Sequence, residues 1–285
     1  MNDYWLAFVL GVIEGLTEFL PVSSTAHLRI CEALLGVELS NGYWKMFTIV
    51  IQLGAILCLP IYFRRRILEF LATFPHGRRG DRTALTHPLF LVALAFLCTA
   101  IPAFLLKKVI GKNLESITLM GSALVIGGVV MWIVDGLYGT RNKTGGVEDI
   151  RPGQAISIGL VQTLAALFPG TSRSMATISS GEIVGLSRTA ALEFSFLLSI
   201  PTMAAATGYD LLRFIRHPEE SGSSGALRLD GHGLAVLAIG SGVSFVVAWG
   251  VVAWFMNWVR AHGFVPFAIY RILAGGAVLA WALKS

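Results

Sequence analysis

Charge is what this sequence has least of. Only 14% of its 285 residues are Asp, Glu, Lys or Arg, against roughly 25% in a soluble globular domain, so a water-exposed surface over most of the chain is excluded. Acids are scarcer than bases, 17 against 22, for a formal net charge of +5. In a soluble protein that excess would point to nucleic acid. Here Lys and Arg fall mostly between apolar runs, the pattern that orients membrane proteins, so the expected partner is membrane lipid and no nucleic acid. Cysteine is scarce as well. Cys31, Cys58 and Cys98 are odd in number and set in apolar surroundings, which excludes a disulfide framework and metal-ligand spacing and predicts small core residues. MNDYW at the start has no basic region ahead of its apolar run, so no cleaved signal peptide is expected. Against these lacks stand 55% hydrophobic residues and a mean hydropathy of +0.70. The chain reads as an integral membrane protein.

One apolar stretch breaks the rule on charge. Residues 11–30, GVIEGLTEFLPVSSTAHLRI, carry Glu14, Glu18, Ser23, Ser24, Thr25 and His27, and ionisable groups at membrane depth are costly enough to mark function. A helix over 5–20 would place Glu14 and Glu18 four apart on one face before Pro21 stops it. A second helix from Ser23 would bring His27 beside Ser24.

The second half repeats this design. Sliding the sequence by 148 residues lays 11–30 on 159–178, GLVQTLAALFPGTSRSMATI, without a gap. Gly11, Leu16, Pro21, Ser24 and Ile30 meet Gly159, Leu164, Pro169, Ser172 and Ile178; Glu18 meets Ala166, His27 meets Met175 and Thr25 meets Arg173. Copy one keeps acids and an imidazole. Copy two keeps hydroxyls and one guanidinium, a division suited to catalysis at one tip and anion binding at the other.

The expected fold is all-α: a polytopic membrane protein with an inverted-topology repeat, six transmembrane helices and two re-entrant helical hairpins. It forms a single membrane domain over 1–285, with repeat one at about 1–140 and repeat two at about 153–285. Residues 5–20 and 22–35 are each too short for the roughly 20 residues that cross a bilayer, so they predict a re-entrant hairpin, as do 154–168 and 171–184. Spans are predicted at 44–63, 87–106 and 116–138, then at 188–211, 233–258 and 264–283. A polar linker, 139–153, separates the copies, and a Ser-, Gly- and Glu-rich loop, 216–230, stands where copy one has its basic loop. Each copy crosses an odd number of times, so the copies are inverted. Arg64, Arg65, Arg66, Arg78, Arg79 and Arg82 crowd the 64–82 loop, which places it in the cytoplasm and both termini outside. Hairpin one then enters from the outer face, hairpin two from the cytoplasm, and their tips meet near the midplane.

Half-helices starting at Ser23 and Thr171 aim free N–H groups at the tips, and two such ends form an anion site. Arg173 adds a planar fork suited to phosphate; Ser23, Ser24, Thr25, Thr171, Ser172 and Ser174 add hydroxyls. Glu14 and Glu18 would repel an anion unless protonated or holding a divalent cation, and hard cations commonly bridge carboxylates to phosphate. A metal-assisted phosphatase follows, with His27 as general acid or base and Ser24 or water as attacking group. Each feature has a structural reading too. The hydroxyls would serve as N-caps, Arg173 would snorkel, and Glu182, Glu193, Asp210 and Arg271 are read as interhelical partners. Gly127 and Gly128 read as close helix packing.

EGLTEFLPVSSTAH at 14–27 and PGTSRSMATIS at 169–179 resemble the two signature motifs of the bacitracin-resistance family of undecaprenyl-diphosphate phosphatases. FTIVIQLGAI at 47–56, SRTAALEFSFLLSIP at 187–201 and FVPFAIYRI at 264–272 agree, so the resemblance covers nearly the whole chain. It implies hydrolysis of undecaprenyl diphosphate to the monophosphate and inorganic phosphate in the bacterial cytoplasmic (inner) membrane. This would recycle the lipid carrier for cell-wall synthesis from a site open to the periplasmic face. By position, the resemblance puts the acidic motif on Glu14 and Glu18, the hydroxyls on Ser23, Ser24 and Thr25, the histidine on His27, and the phosphate-binding arginine on Arg173. It implies a requirement for Mg2+ or Ca2+, with Glu14 and Glu18 the candidate metal ligands. Ala26 and Met175 stand where glycines are frequent. The rival reading is a polyprenyl-phosphate transporter or flippase, because transporters use inverted repeats and broken helices. A purely structural scaffold would leave the polar groups of the first bend without purpose. A second copy of the chain, forming a homodimer, is a further candidate partner.

Overall fold

The structure, a computed structural model, describes residues 2–37, 42–78, 80–107, 110, 116–140, 145–216 and 230–283. Arg79, most of the 216–230 loop and the centre of the 139–153 linker lie outside the described residues. Within them are eleven α-helices and no β-strand. The first repeat contributes α1 (Asp3–Thr17), α2 (Ser24–Leu34), α3 (Gly42–Tyr62), α4 (Arg64–Thr73), α5 (Pro88–Leu105) and α6 (Ile117–Tyr138). The second contributes α7 (Pro152–Leu167), α8 (Arg173–Ile183), α9 (Arg188–Arg216), α10 (Gly231–Ala261) and α11 (Val265–Ala282). α3, α5, α6, α9, α10 and α11 are long and apolar enough to cross a membrane. The protein is a multi-pass all-α membrane protein.

The main helix contacts form a symmetric set. α1 packs on α10 and α7 on α5; α3 packs on α10 and α9 on α5; α3 meets α9, and α6 meets α11. Exchanging each helix for its counterpart in the other copy leaves that set unchanged. Without a hydrophobic drive between helices in lipid, such seams depend on small residues that let backbones approach. Gly11 and Gly159, aligned by the sequence slide, both supply one. A Cβ on Gly11 would lie 2.7 Å from the Gly240 carbonyl oxygen of α10, and one on Gly159 would lie 2.3 Å from the Ala95 carbonyl oxygen of α5.

Three local expectations change. α1 stops at Thr17 rather than at residue 20; a proline ring clashes with the carbonyl four residues earlier, and for Pro21 that residue is Thr17. The basic loop opens with α4, which buries Phe70 and leaves its arginines toward solvent or acids. Cys58 is buried as expected, but Cys31 and Cys98 are only half-buried, and all three are free.

Candidate active site

Each repeat turns at a serine with left-handed backbone, Ser23 at φ +74° and Ser172 at φ +70°. No other non-glycine residue among those described has positive φ. A side chain in that region costs on the order of 1–3 kcal/mol and persists only where its surroundings enforce it, commonly at functional sites. Each serine starts an 11-residue helix, α2 or α8, and each helix ends before a positive-φ glycine, Gly36 or Gly185. These matched landmarks correct the ungapped alignment. Pro169-Gly170-Thr171-Ser172 is one residue longer than Pro21-Val22-Ser23, so past the tips the register slips by one. Ser23 pairs with Ser172, Ser24 with Arg173, and Thr25 with Ser174. The hydroxyl of one copy and the guanidinium of the other thus occupy the same first helical position.

The tips interlock through side chains. Glu18, buried, accepts a short hydrogen bond from the Ser24 hydroxyl and lies 3.3 Å from the Arg173 guanidinium. Arg173 donates its other terminal nitrogen to Ser199 of α9. Ser174 donates across the junction to the Leu20 carbonyl at 2.9 Å. Ser172 accepts from the Met175 N–H at 3.3 Å and lies 3.0 Å from the Ser174 hydroxyl, so it is an N-cap, as the structural reading allowed. Glu14 is fully buried, and neither of its carboxylate oxygens has a hydrogen-bond partner among the described residues. Glu18, Arg173 and Glu32 are its charged neighbours.

Other predicted residues stand apart. His27 does not join Ser24; its Nδ1 lies 2.7 Å from the Ser23 carbonyl oxygen and its Nε2 2.6 Å from the Tyr270 hydroxyl. Thr25 and Thr171 are half-buried, and Thr171 lines a separate apolar groove of about 600 Å³ between α6, α7 and α8.

Arg271 holds the two tips together. Fully buried, it donates to the Pro21 carbonyl of tip one, the Gly170 carbonyl of tip two and the Ala123 carbonyl of α6, each at 3.0 Å. It is an interhelical partner, as predicted, but its partners are backbone carbonyls. Gly127 makes room for it, since a Cβ there would lie 2.3 Å from its guanidinium. Glu182 also fits the interhelical reading, 3.9 Å from Arg188, which is held by Asp135 at 2.7 Å. Glu193 pairs with Arg66 of α4 at 2.9 Å. Asp210 departs from it, exposed near the end of α9 beside Arg213.

Sequence reasoning missed Ser195, Ser199 and Tyr270. Ser199 accepts from Arg173 and donates its hydroxyl hydrogen bond to the Ser195 carbonyl at 2.6 Å, and the Ser195 hydroxyl lies 2.6 Å from that of Thr177. Two serines four apart in an apolar helix face are a signal of the same kind as Glu14 and Glu18. Tyr270 carried no such signal, because a tyrosine in a membrane helix usually marks an interface.

The cluster can bind and polarise an anion. Arg173 and the N–H groups at the start of α8 can supply donors, and Glu18 accepts from the Ser24 hydroxyl. A divalent cation fits the acids, since Glu14 presents two buried oxygens without partners next to Glu18. Among the described residues no group of three or more His, Cys, Asp or Glu is placed to hold a metal. The remaining positions would fall to phosphate oxygens or water, the habit of Mg2+.

Comparison with known proteins gives a match over residues 7–277 to the family described as bacitracin resistance protein BacA. A protein of Koribacter versatilis named undecaprenyl-diphosphatase is 66% identical over 285 residues, covering 100% of both chains. Undecaprenyl-diphosphatases of Sorangium cellulosum and Caldanaerobacter subterraneus are 43% and 39% identical, covering 97% and 96% of this chain and 86% and 94% of theirs.

Proposed function

The chain belongs to the bacitracin resistance protein BacA family, and on that premise we propose that it is an undecaprenyl-diphosphatase whose reacting groups come from both tips. Water is added across the P–O–P bridge of undecaprenyl diphosphate, giving undecaprenyl phosphate and inorganic phosphate. The lipid carrier thus returns to peptidoglycan synthesis, which bears on bacitracin resistance. One observation carries the shared site: Glu18 touches both Ser24 of tip one and Arg173 of tip two.

In this reading Arg173 and the α8 N-terminus hold the terminal phosphate as its charge grows in the transition state. Glu18 accepts the proton of Ser24, or of a water in its place, as attack begins. Ser23, Thr25, Thr171, Ser172 and Ser174 shape the rim of the tips. Mg2+ or Ca2+ held by Glu14 and Glu18 would neutralise phosphate charge when bound. The isoprenoid chain lies among the helices, and the apolar groove walled by Ile126, Val130, Val161 and Leu164 suits it. α1–α2 and α7–α8 are re-entrant and enter from opposite faces of the bacterial inner membrane, with the site open to the periplasm. The short helices and the matched packing support entry from opposite faces, and the arginine-rich 64–82 loop supports the choice of face.

The test is phosphate release by purified, detergent-solubilised protein from a long-chain isoprenyl diphosphate, with and without chelator, beside Arg173→Ala. The expected result is metal-dependent release that Arg173→Ala loses while staying monodisperse. Absence of release from folded protein would overturn the reading in favour of a polyprenyl-phosphate transporter. Light scattering of the same sample would show whether a homodimer forms.

A further inference from the structure

His27 is placed by two contacts, and neither comes from the acid and guanidinium cluster. A carbonyl oxygen only accepts, so Nδ1 at 2.7 Å from the Ser23 carbonyl must carry the proton. Nε2 then faces the Tyr270 hydroxyl at 2.6 Å: the neutral ring accepts from the phenol, and the charged ring donates to it. The two rings stack with centroids 5.6 Å apart and planes 14° from parallel. Tyr270 is 46% exposed. The neighbouring Arg271 points the other way, into the backbone of both tips.

We infer that Tyr270 is a positioning residue for His27, holding through a hydrogen bond at Nε2 the orientation of a ring whose Nδ1–H form the Ser23 carbonyl selects. The strained Ser23 backbone takes part, because its carbonyl is the second anchor of the same ring. His27 and Tyr270 then act as one unit at tip one.

The kinetic part of the test rests on the phosphatase reading, and a spectroscopic part does not. Tyr270→Phe keeps the stacked ring and removes only the hydroxyl. Its kcat should fall about tenfold, the effect of one lost hydrogen bond, with KM unchanged. In a His27→Ala background the same substitution should change nothing further, since the partner is already gone. An unchanged kcat, or a full second loss in the His27→Ala background, would overturn the inference. Independently, 15N spectra of histidine-labelled protein, assigned by comparison with His27→Ala, should show a single Nδ1–H form of His27 in the native chain. Tyr270→Phe should keep that form, which the Ser23 carbonyl sets, and shift the Nε2 resonance as its hydrogen bond is lost. If the native protein releases no phosphate, the functional reading fails and these spectra alone decide: an Nε2 resonance that Tyr270→Phe leaves in place overturns the inference, and a shifted one sustains it.

Discussion

Tip one and tip two share a backbone and divide the chemistry. Both turn on a positive-φ serine and both launch an 11-residue helix. The first helical residue is Ser24 in one and Arg173 in the other. A matched turn thus brings a hydroxyl and a guanidinium to equivalent places, joined by Glu18. The two turns share a backbone, and they differ in chemistry at several positions, Glu18 against Ala166 among them.

The sharpest way to break the comparison is to make the tips alike. Arg173→Ser gives tip two the residue of tip one, and phosphate release should fall by about 10²–10³-fold or more, the cost of losing transition-state donors. Glu18→Gln removes the acid that both tips share, and release should fall by about 10²–10⁴-fold, as expected for a general base. Activity within a few-fold of native in either variant would contradict the account. Next in size is the buried clamp. Arg271→Met leaves the Pro21, Ala123 and Gly170 carbonyls without their donor, and it should cost about 2–5 kcal/mol in stability, read as a lowered unfolding midpoint in detergent. An unchanged midpoint would mean that the tips hold each other without it. Smaller still, Gly11→Ala and Gly159→Ala force a Cβ against the Gly240 and Ala95 carbonyls. Each should cost about 1–3 kcal/mol, and by similar amounts if the repeat is structural as well as textual.

Much of this was legible beforehand, for physical reasons. Spans in lipid need long apolar runs, so all six were placed to within a few residues, apart from the further reach of α9 to Arg216. Membrane depth made Glu14 and Glu18 conspicuous, and the duplicated tip did the same for Arg173. What stayed hidden depends on contacts between distant segments. Nothing in one sequence reveals that Ser199 receives Arg173, or that Tyr270 rather than Ser24 faces His27. The one-residue slip at the tips was hidden by a proline alignment that looked complete, because backbone φ leaves no mark on residue identity when serine occupies a glycine-like conformation. α4 escaped notice because its arginines read as loop, although its apolar residues recur so that Phe70 is buried.

Whether the two tips make one site through Glu18 and Arg173 is decided by a double-variant cycle. Single-turnover phosphate release would be timed, with protein in excess over a long-chain isoprenyl diphosphate, for the native chain, Glu18→Gln, Arg173→Gln and the double variant. Residues that act as a unit are not additive, so the double variant should be about as slow as the slower single one. Losses that multiply would show two independent sites and contradict the account.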